Sequence, residues 1–212
     1  HRLRQRVEDY KIQGKSDATI LFCTYTNALV NYSENLLEKM LGEDLKHVKI
    51  STADKIATDI LRGFNYSLEV AQDNLLEKIV RNSREDPRIS AIETSSIAHL
   101  TDHYLADEIL LVIQGNDLQT LNDYINNKRV GRLEFLSDDE KKVVWTISEI
   151  LTEELNDLEK TTFQEIRKIA YKLVKDEKYK LKYDSIIIDE VQDLDISSLK
   201  LLFSLCKNKN NL

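Results

Sequence analysis

Glycine and proline are scarce: five glycines and one proline among 212 residues, about 3% where average usage is about 12%. A fold made of many tight β-turns needs more of both, so the composition argues against an all-β protein and favours helices. Long apolar runs are missing as well. No segment approaches the roughly 18 to 20 residues that cross a bilayer as a helix, which removes a membrane-spanning reading. The basic start, HRLRQR, has no apolar stretch after it and so shows no secretory signal, and a start at His1 without methionine reads as a fragment of a longer chain. Only two cysteines occur, Cys23 and Cys206, each inside an apolar stretch. Two are too few for a disulfide framework or a metal cluster, and they read as core thiols of a protein kept in a reducing, cytoplasmic compartment.

Positive charge is in deficit too. Thirty basic residues stand against 37 acidic ones, for a net charge of −7. The first 60 residues balance at nine of each, and residues 61–136 carry eight basic and twelve acidic groups. A broad basic face, the usual footprint of a nucleic-acid-binding protein, is therefore excluded, and any such contact must be local.

The composition that remains, 42% hydrophobic and 32% charged, is that of a globular chain with a sizeable core. Three short β-branched or aromatic runs have the character of buried parallel strands: residues 19–23 (TILFC), 48–50 (VKI) and 185–188 (SIII). Helical patterns follow each closely, at residues 27–40, 51–62 and 195–206, as in βα units. Between about residues 63 and 183 no comparable strand run appears, and the best amphipathic pattern of the chain lies there. Ser137 with Glu140 forms a capping box ahead of an apolar stripe through Val143, Val144, Ile147, Ile150, Leu151, Leu155 and Leu158. Thr162 with Glu165 repeats the signal before Phe163, Ile166, Ile169, Ala170, Leu173 and Val174. Asp86-Pro87 and Gln114-Gly115-Asn116 are the expected breaks. The pattern predicts an α/β fold, a partial parallel sheet from residues 1–62 and 184–212, interrupted by a mostly helical insertion at 63–183 large enough to be a subdomain.

The strongest chemical signal is YDSIIIDEVQDLD at residues 183–195. A buried strand delivers Asp189 and Glu190 to the carboxyl end of a parallel sheet, where open α/β sheets bind ligands. One such carboxylate suits a hydrated Mg²⁺ held against nucleotide phosphates, and its neighbour suits orientation or deprotonation of a water. Gln192 and Asp193 add an amide and a third acid within one turn. An apolar strand that simply ends in a solvated acidic turn accounts for Asp-Glu, but poorly for the whole DEVQD string.

DEVQD after an isoleucine strand resembles motif II, the Walker B element, of the UvrD and Rep class of superfamily 1 DNA helicases, and ILFCTYTNALV at residues 20–30 resembles their motif Ia. His1-Arg2-Leu3 looks like the helix that follows the phosphate-binding loop, ISTADKIATDILR at 50–62 occupies the place of the next DNA-contacting motif, and YINNKRVGR at 124–132 with Trp145 resembles the insertion of one branch of UvrD-like proteins. The resemblance implies a partial RecA-like domain of the P-loop NTPase fold with a helical insertion, from an ATP-dependent DNA helicase or translocase acting in DNA repair. It implies Mg²⁺ bound by Asp189, water activation by Glu190, and coupling of nucleotide state to movement by Gln192 and Asp193. It further implies ATP and single-stranded or partly duplex DNA as partners, with Tyr25 stacked on a base, Thr24, Thr26 and Asn27 near phosphate, and Thr52 in the next motif. The plainer reading of those residues, Thr26 or Asn27 as a helix cap with Tyr25 packed inward and Ser51 or Thr52 as another cap, stays open. Where the family places an aromatic and a histidine after that threonine, this chain has Ala53 and Asp54, and an acid there repels phosphate.

A phosphate-binding loop is the decisive absence. Gly14-Lys15-Ser16 imitates the end of one, but position 9 is aspartate and the segment runs from a helical pattern into a strand, the reverse of the required order. The chain on its own is therefore expected to be a monomer that binds neither Mg²⁺ nor ATP tightly and does not hydrolyse ATP. A non-catalytic regulatory or nucleic-acid-binding domain that keeps the fold is the second reading. Lys128, Arg129 and Arg132 form the one compact basic cluster of the insertion, read either as a solvated loop or as a contact for DNA or an acidic partner. His99 and His103, near Asp102 and Asp107, lack a clear third ligand and read as incidental rather than as a zinc site.

Overall fold

The computed structural model describes residues 2–15, 17–90, 94–129, 131–132 and 134–208. In order, the chain forms α1 (Arg2–Ile12), β1 (Ile20–Thr24), α2 (Asn27–Leu41), β2 (Val48–Thr52), α3 (Ala53–Gly63), β3 (Glu69–Val70), α4 (Asp73–Ser83), α5 (Pro87–Ser90), α6 (Asp102–Asp107), α7 (Leu121–Asn126), α8 (Asp138–Asp157), β4 (Lys160–Thr161), α9 (Phe163–Lys175), β5 (Ser185–Ile188) and α10 (Ile196–Ser204). Helices predominate among the described residues, beside a small parallel sheet, in keeping with the shortage of turn residues. No helix among the described residues is long and apolar enough to cross a membrane.

Two compact units divide the chain, one of His1–Tyr66 with Ile166–Leu212 and one of Ser67–Glu165. Residues from Ile166 to Tyr183 thus group with the sheet, although sequence pattern alone joins them to the helices before them.

In the first unit β1 lies between β2 and β5, parallel to both. Ile20 pairs with Val48 and Ser185, Cys23 with Ser51 and Ile188, and Thr24 with Thr52. Leu3, Val7 and Tyr10 of α1, with Leu37 and Leu41 of α2, cover the sheet face that carries Ile20, Phe22, Val48, Ile50 and Ile187. The other face lies toward α3, whose Asp59 is 3.8 Å from Lys49, and α3 in turn contacts α10. Burial on both faces explains why these strands read as continuous apolar runs rather than as alternation. Helix α2 ends at Gly42, whose N–H still reaches the Glu38 carbonyl and whose positive φ of 54° then turns the chain. β2 runs on to Thr52 and α3 begins only at Ala53, because the Thr52 side chain caps that helix by accepting from Lys55 N at 3.2 Å. The GKS segment runs from α1 toward β1, with Gly14 at φ +69°, while Ser16 lies outside the described residues.

The second unit packs α4, α6, α7 and α8 around a core that includes Leu76, Val80, Leu105, Ile109, Ile147 and Leu151. The capping box at Ser137 and Glu140 is present. Leu158 falls outside the α8 stripe as the C-cap, half exposed, because Glu159 takes a left-handed φ of 55° that ends the helix. Phe163 likewise points outward at the start of α9. A two-residue parallel pairing, Glu69↔Lys160 and Val70↔Thr161, is too short to leave a sequence signal.

The basic cluster does not form a solvated loop or a docking patch at Arg129 and Arg132. Both turn inward onto Glu108, which is 0% exposed and sits in a π-helical turn, Glu108–Gln114, that continues α6. Arg129 donates to both Glu108 oxygens, at 2.5 and 3.0 Å, Arg132 donates at 2.9 Å, and the Tyr124 hydroxyl donates at 2.8 Å. Burial alone would raise the Glu108 carboxyl, but the bonds from Arg129 and Tyr124 and the two cationic charges reverse that and hold it below the usual carboxylate range. His103 pairs with Glu77 at 3.0 Å, and no group of three potential metal ligands occurs among the described residues.

Candidate functional site

The carboxyl ends of β2, β1 and β5 form one edge of the sheet, and the residues singled out from sequence lie along it. The Asp189 N–H donates to the Cys23 carbonyl at 2.9 Å, which carries the β1–β5 ladder one residue past the strand. Asp189 therefore sits level with Thr24 of β1, which on its other side pairs with Thr52 of β2. Glu190 then adopts a left-handed backbone, φ 50° and ψ 49°, a conformation that costs a non-glycine residue on the order of 1 to 3 kcal/mol. It turns the chain into a short 3-10 turn, Val191–Asp193, closed by Asp193 N donating to the Glu190 carbonyl at 2.9 Å.

Asp189, Glu190, Gln192 and Asp193 are all exposed. The Gln192 amide donates to the Glu190 carboxylate. Asp189 has no ion-pair or hydrogen-bond partner for its carboxylate among the described residues. Two exposed hard oxygen donors on adjacent residues, with no group of three potential metal ligands among the described residues, suit a cation that keeps its waters better than an all-protein metal cage. The Cys23 thiol behind this edge is fully buried, and burial, with Asp54 nearby, pushes it up to about 12, so it is a neutral core group.

At the end of β1 the residues separate by exposure. Thr24 is fully buried and its hydroxyl donates to the Thr26 carbonyl at 3.1 Å, so it shapes the turn from inside. Thr26 caps α2, its hydroxyl accepting from Leu29 N at 3.3 Å. Tyr25 is not packed inward: it is 52% exposed, and Asn27 beside it is exposed too. Thr52 is buried and occupied as the α3 cap.

A cavity of about 650 Å³ runs beside β5, between α1 and α10, lined among others by Arg2, Arg6, Ile186, Ile188, Val191 and Phe203. It adjoins the strand that carries the acids. A family model described as the UvrD/REP helicase N-terminal domain matches residues 3–212. The chain belongs to that family. Members of the UvrD/Rep class are ATP-dependent helicases that act on DNA, and the family's α/β architecture is the one found here. Among curated proteins no match reaches significance.

One residue at this edge escaped the sequence reading. Arg167 of α9 is 7% exposed and donates through Nε to Ser197 Oγ at 2.9 Å, through Nη2 to Asp195 at 2.5 Å and through Nη1 to Asp54. The doubtful acid Asp54 is thus paired rather than free. A sequence signal for Arg167 exists, since it lies on the buried stripe of α9 three and seven residues before Ala170 and Val174.

Proposed function

We propose that this sheet edge is the working face of a helicase motor, with the β5 acids serving ATP hydrolysis and the β1 turn gripping single-stranded DNA. The observation that carries the reading is the parallel register that sets Thr52, Thr24 and Asp189 at the ends of three adjacent strands. In this reading Asp189 holds Mg²⁺, which when bound neutralises phosphate charge. Glu190 orients the attacking water and takes its proton. The Gln192 amide, bonded to Glu190, fixes the direction of that carboxylate and senses the nucleotide's terminal phosphate, while Asp193 couples the turn to neighbouring loops. Tyr25 offers its exposed ring to a base, a contact worth roughly 1 to 3 kcal/mol and tolerant of sequence. Thr26 and Asn27, at the positive end of α2, receive phosphate, with Thr24 and Thr52 holding the turns behind them.

Because the sequence holds no phosphate loop, the 212 residues by themselves bind Mg²⁺-ATP weakly and do not turn it over. Fluorescence anisotropy of a labelled oligothymidylate at low salt tests the DNA half: binding should weaken steeply with salt, and Tyr25→Ala should cost about 5- to 150-fold. An unchanged affinity in Tyr25→Ala removes the stacking role. For the ATP half, Glu190→Gln in a longer chain that hydrolyses ATP should abolish turnover while leaving nucleotide binding in place, and unimpaired turnover refutes it.

A further inference from the structure

Arg167 touches two segments of the motor edge without being presented there itself. Its Asp195 partner uses the other carboxylate oxygen to cap α10, accepting from Ser198 N at 2.8 Å, so the guanidinium rests on the start of the helix that follows the acidic turn. Its Asp54 partner lies two residues after Thr52, in the first turn of α3. One buried cation from α9 therefore joins the starts of the helices that leave the two outer strands, β2 and β5.

The charge matters as much as the geometry. Asp54 is 37% exposed, level with the β1 turn, in a chain of net charge −7. Without a partner it would repel phosphate at the place where a strand is to lie. A planar fork that meets two carboxylates and a hydroxyl at once is a task for arginine, which lysine cannot reproduce.

We infer that Arg167 is a positioning residue of the nucleic-acid face: it cancels Asp54 and ties the α3 start to the end of the acidic segment at Asp195, so that one side of the edge feels the other. The inference rests on the DNA-gripping role proposed above. Anisotropy with a labelled oligothymidylate at low salt, on the 212-residue protein, compares wild type with Arg167→Met, Asp54→Asn, Arg167→Met/Asp54→Asn and Tyr25→Ala. Arg167→Met should weaken binding by roughly three- to tenfold through the uncompensated acid. The double variant should recover most of the loss, a rescue that a merely structural arginine would not allow. Asp54→Asn alone, which keeps a side-chain oxygen for the Arg167 guanidinium at a partly exposed site, should bind more tightly than wild type. Amide hydrogen exchange supplies a readout free of DNA: in Arg167→Met, Lys55 and Ser198 at the two helix starts should exchange faster together, with the β1–β2 ladder unaffected. If Tyr25→Ala loses affinity while Arg167→Met does not, or the double variant stays as weak as Arg167→Met, or Asp54→Asn binds less tightly, this inference falls and the DNA-gripping role stands. If wild type shows no salt-dependent binding, both fall.

Discussion

Replacing Glu108 by glutamine should strongly destabilise the helical unit. The carboxylate is fully buried between two guanidiniums whose side chains are only 9% and 13% exposed, and glutamine keeps its size while removing its charge. Breaking a buried pair by removing one partner typically costs about 3 to 5 kcal/mol, because the remaining charge stays desolvated. Arg132 retains a weak alternative in Asp107 at 3.7 Å and its stack over the Tyr104 ring at 4.2 Å, which places the loss near the low end, about 3 kcal/mol. For a unit of this size that is a fall in Tm of roughly 12 to 24 °C. Trp145, the only tryptophan, lies in α8 with its ring 6.3 Å from Tyr124, so its fluorescence reports this unit during thermal unfolding. Glu108 also carries a pH signature. Its folded-state carboxyl is held below the ordinary 4.5, so its stabilisation is complete above that pH and disappears as pH falls through the lower folded value. Wild-type Tm should drop steeply in that acid range, and Glu108→Gln should lack this component. A Tm change below about 3 °C at neutral pH would refute the assignment of the network as a buried, mutually dependent ion cluster.

Ser137→Ala removes the cap of α8, where Ser137 accepts from Glu140 N at 3.3 Å while Glu140 takes the Ser137 N–H at 2.7 Å, and should cost about 1 kcal/mol, or 4 to 8 °C of Tm by the same tryptophan signal. In the sheet unit, burial would raise the Asp184 carboxyl, but the Thr19 N–H at 2.9 Å and Lys207 at 2.9 Å outweigh it and hold it low. Its contribution is therefore present above the ordinary carboxylate value and lost in acid, and Asp184→Asn should flatten that part of a circular-dichroism melt series between pH 5 and 2. Cys23 and Cys206 are both buried with thiols raised by burial, so native protein at pH 8 should react with a thiol reagent only as fast as it unfolds. Stoichiometric labelling within minutes would contradict their place in the core.

Local chemistry made much of this protein legible in its sequence. The three strands are short, β-branched and apolar on both faces, the caps at Ser137 and Thr162 are set by residues three apart, and the DEVQD and TYTN strings follow strand ends, so strands, helix starts and the acidic edge could be read from neighbours along the chain. Interactions between residues far apart could not. Arg129 and Arg132 look like a surface patch until Glu108, more than twenty residues earlier, is brought beneath them, and Asp54 looks like a repulsive acid until Arg167, on a helix 113 residues later, closes on it. Sequence settled which residues carry charge and hydrogen-bonding groups; only folding decided which of them face solvent and which spend their charge on one another, because Coulomb partners are chosen by distance in space and by desolvation, and neither is written in the order of the chain.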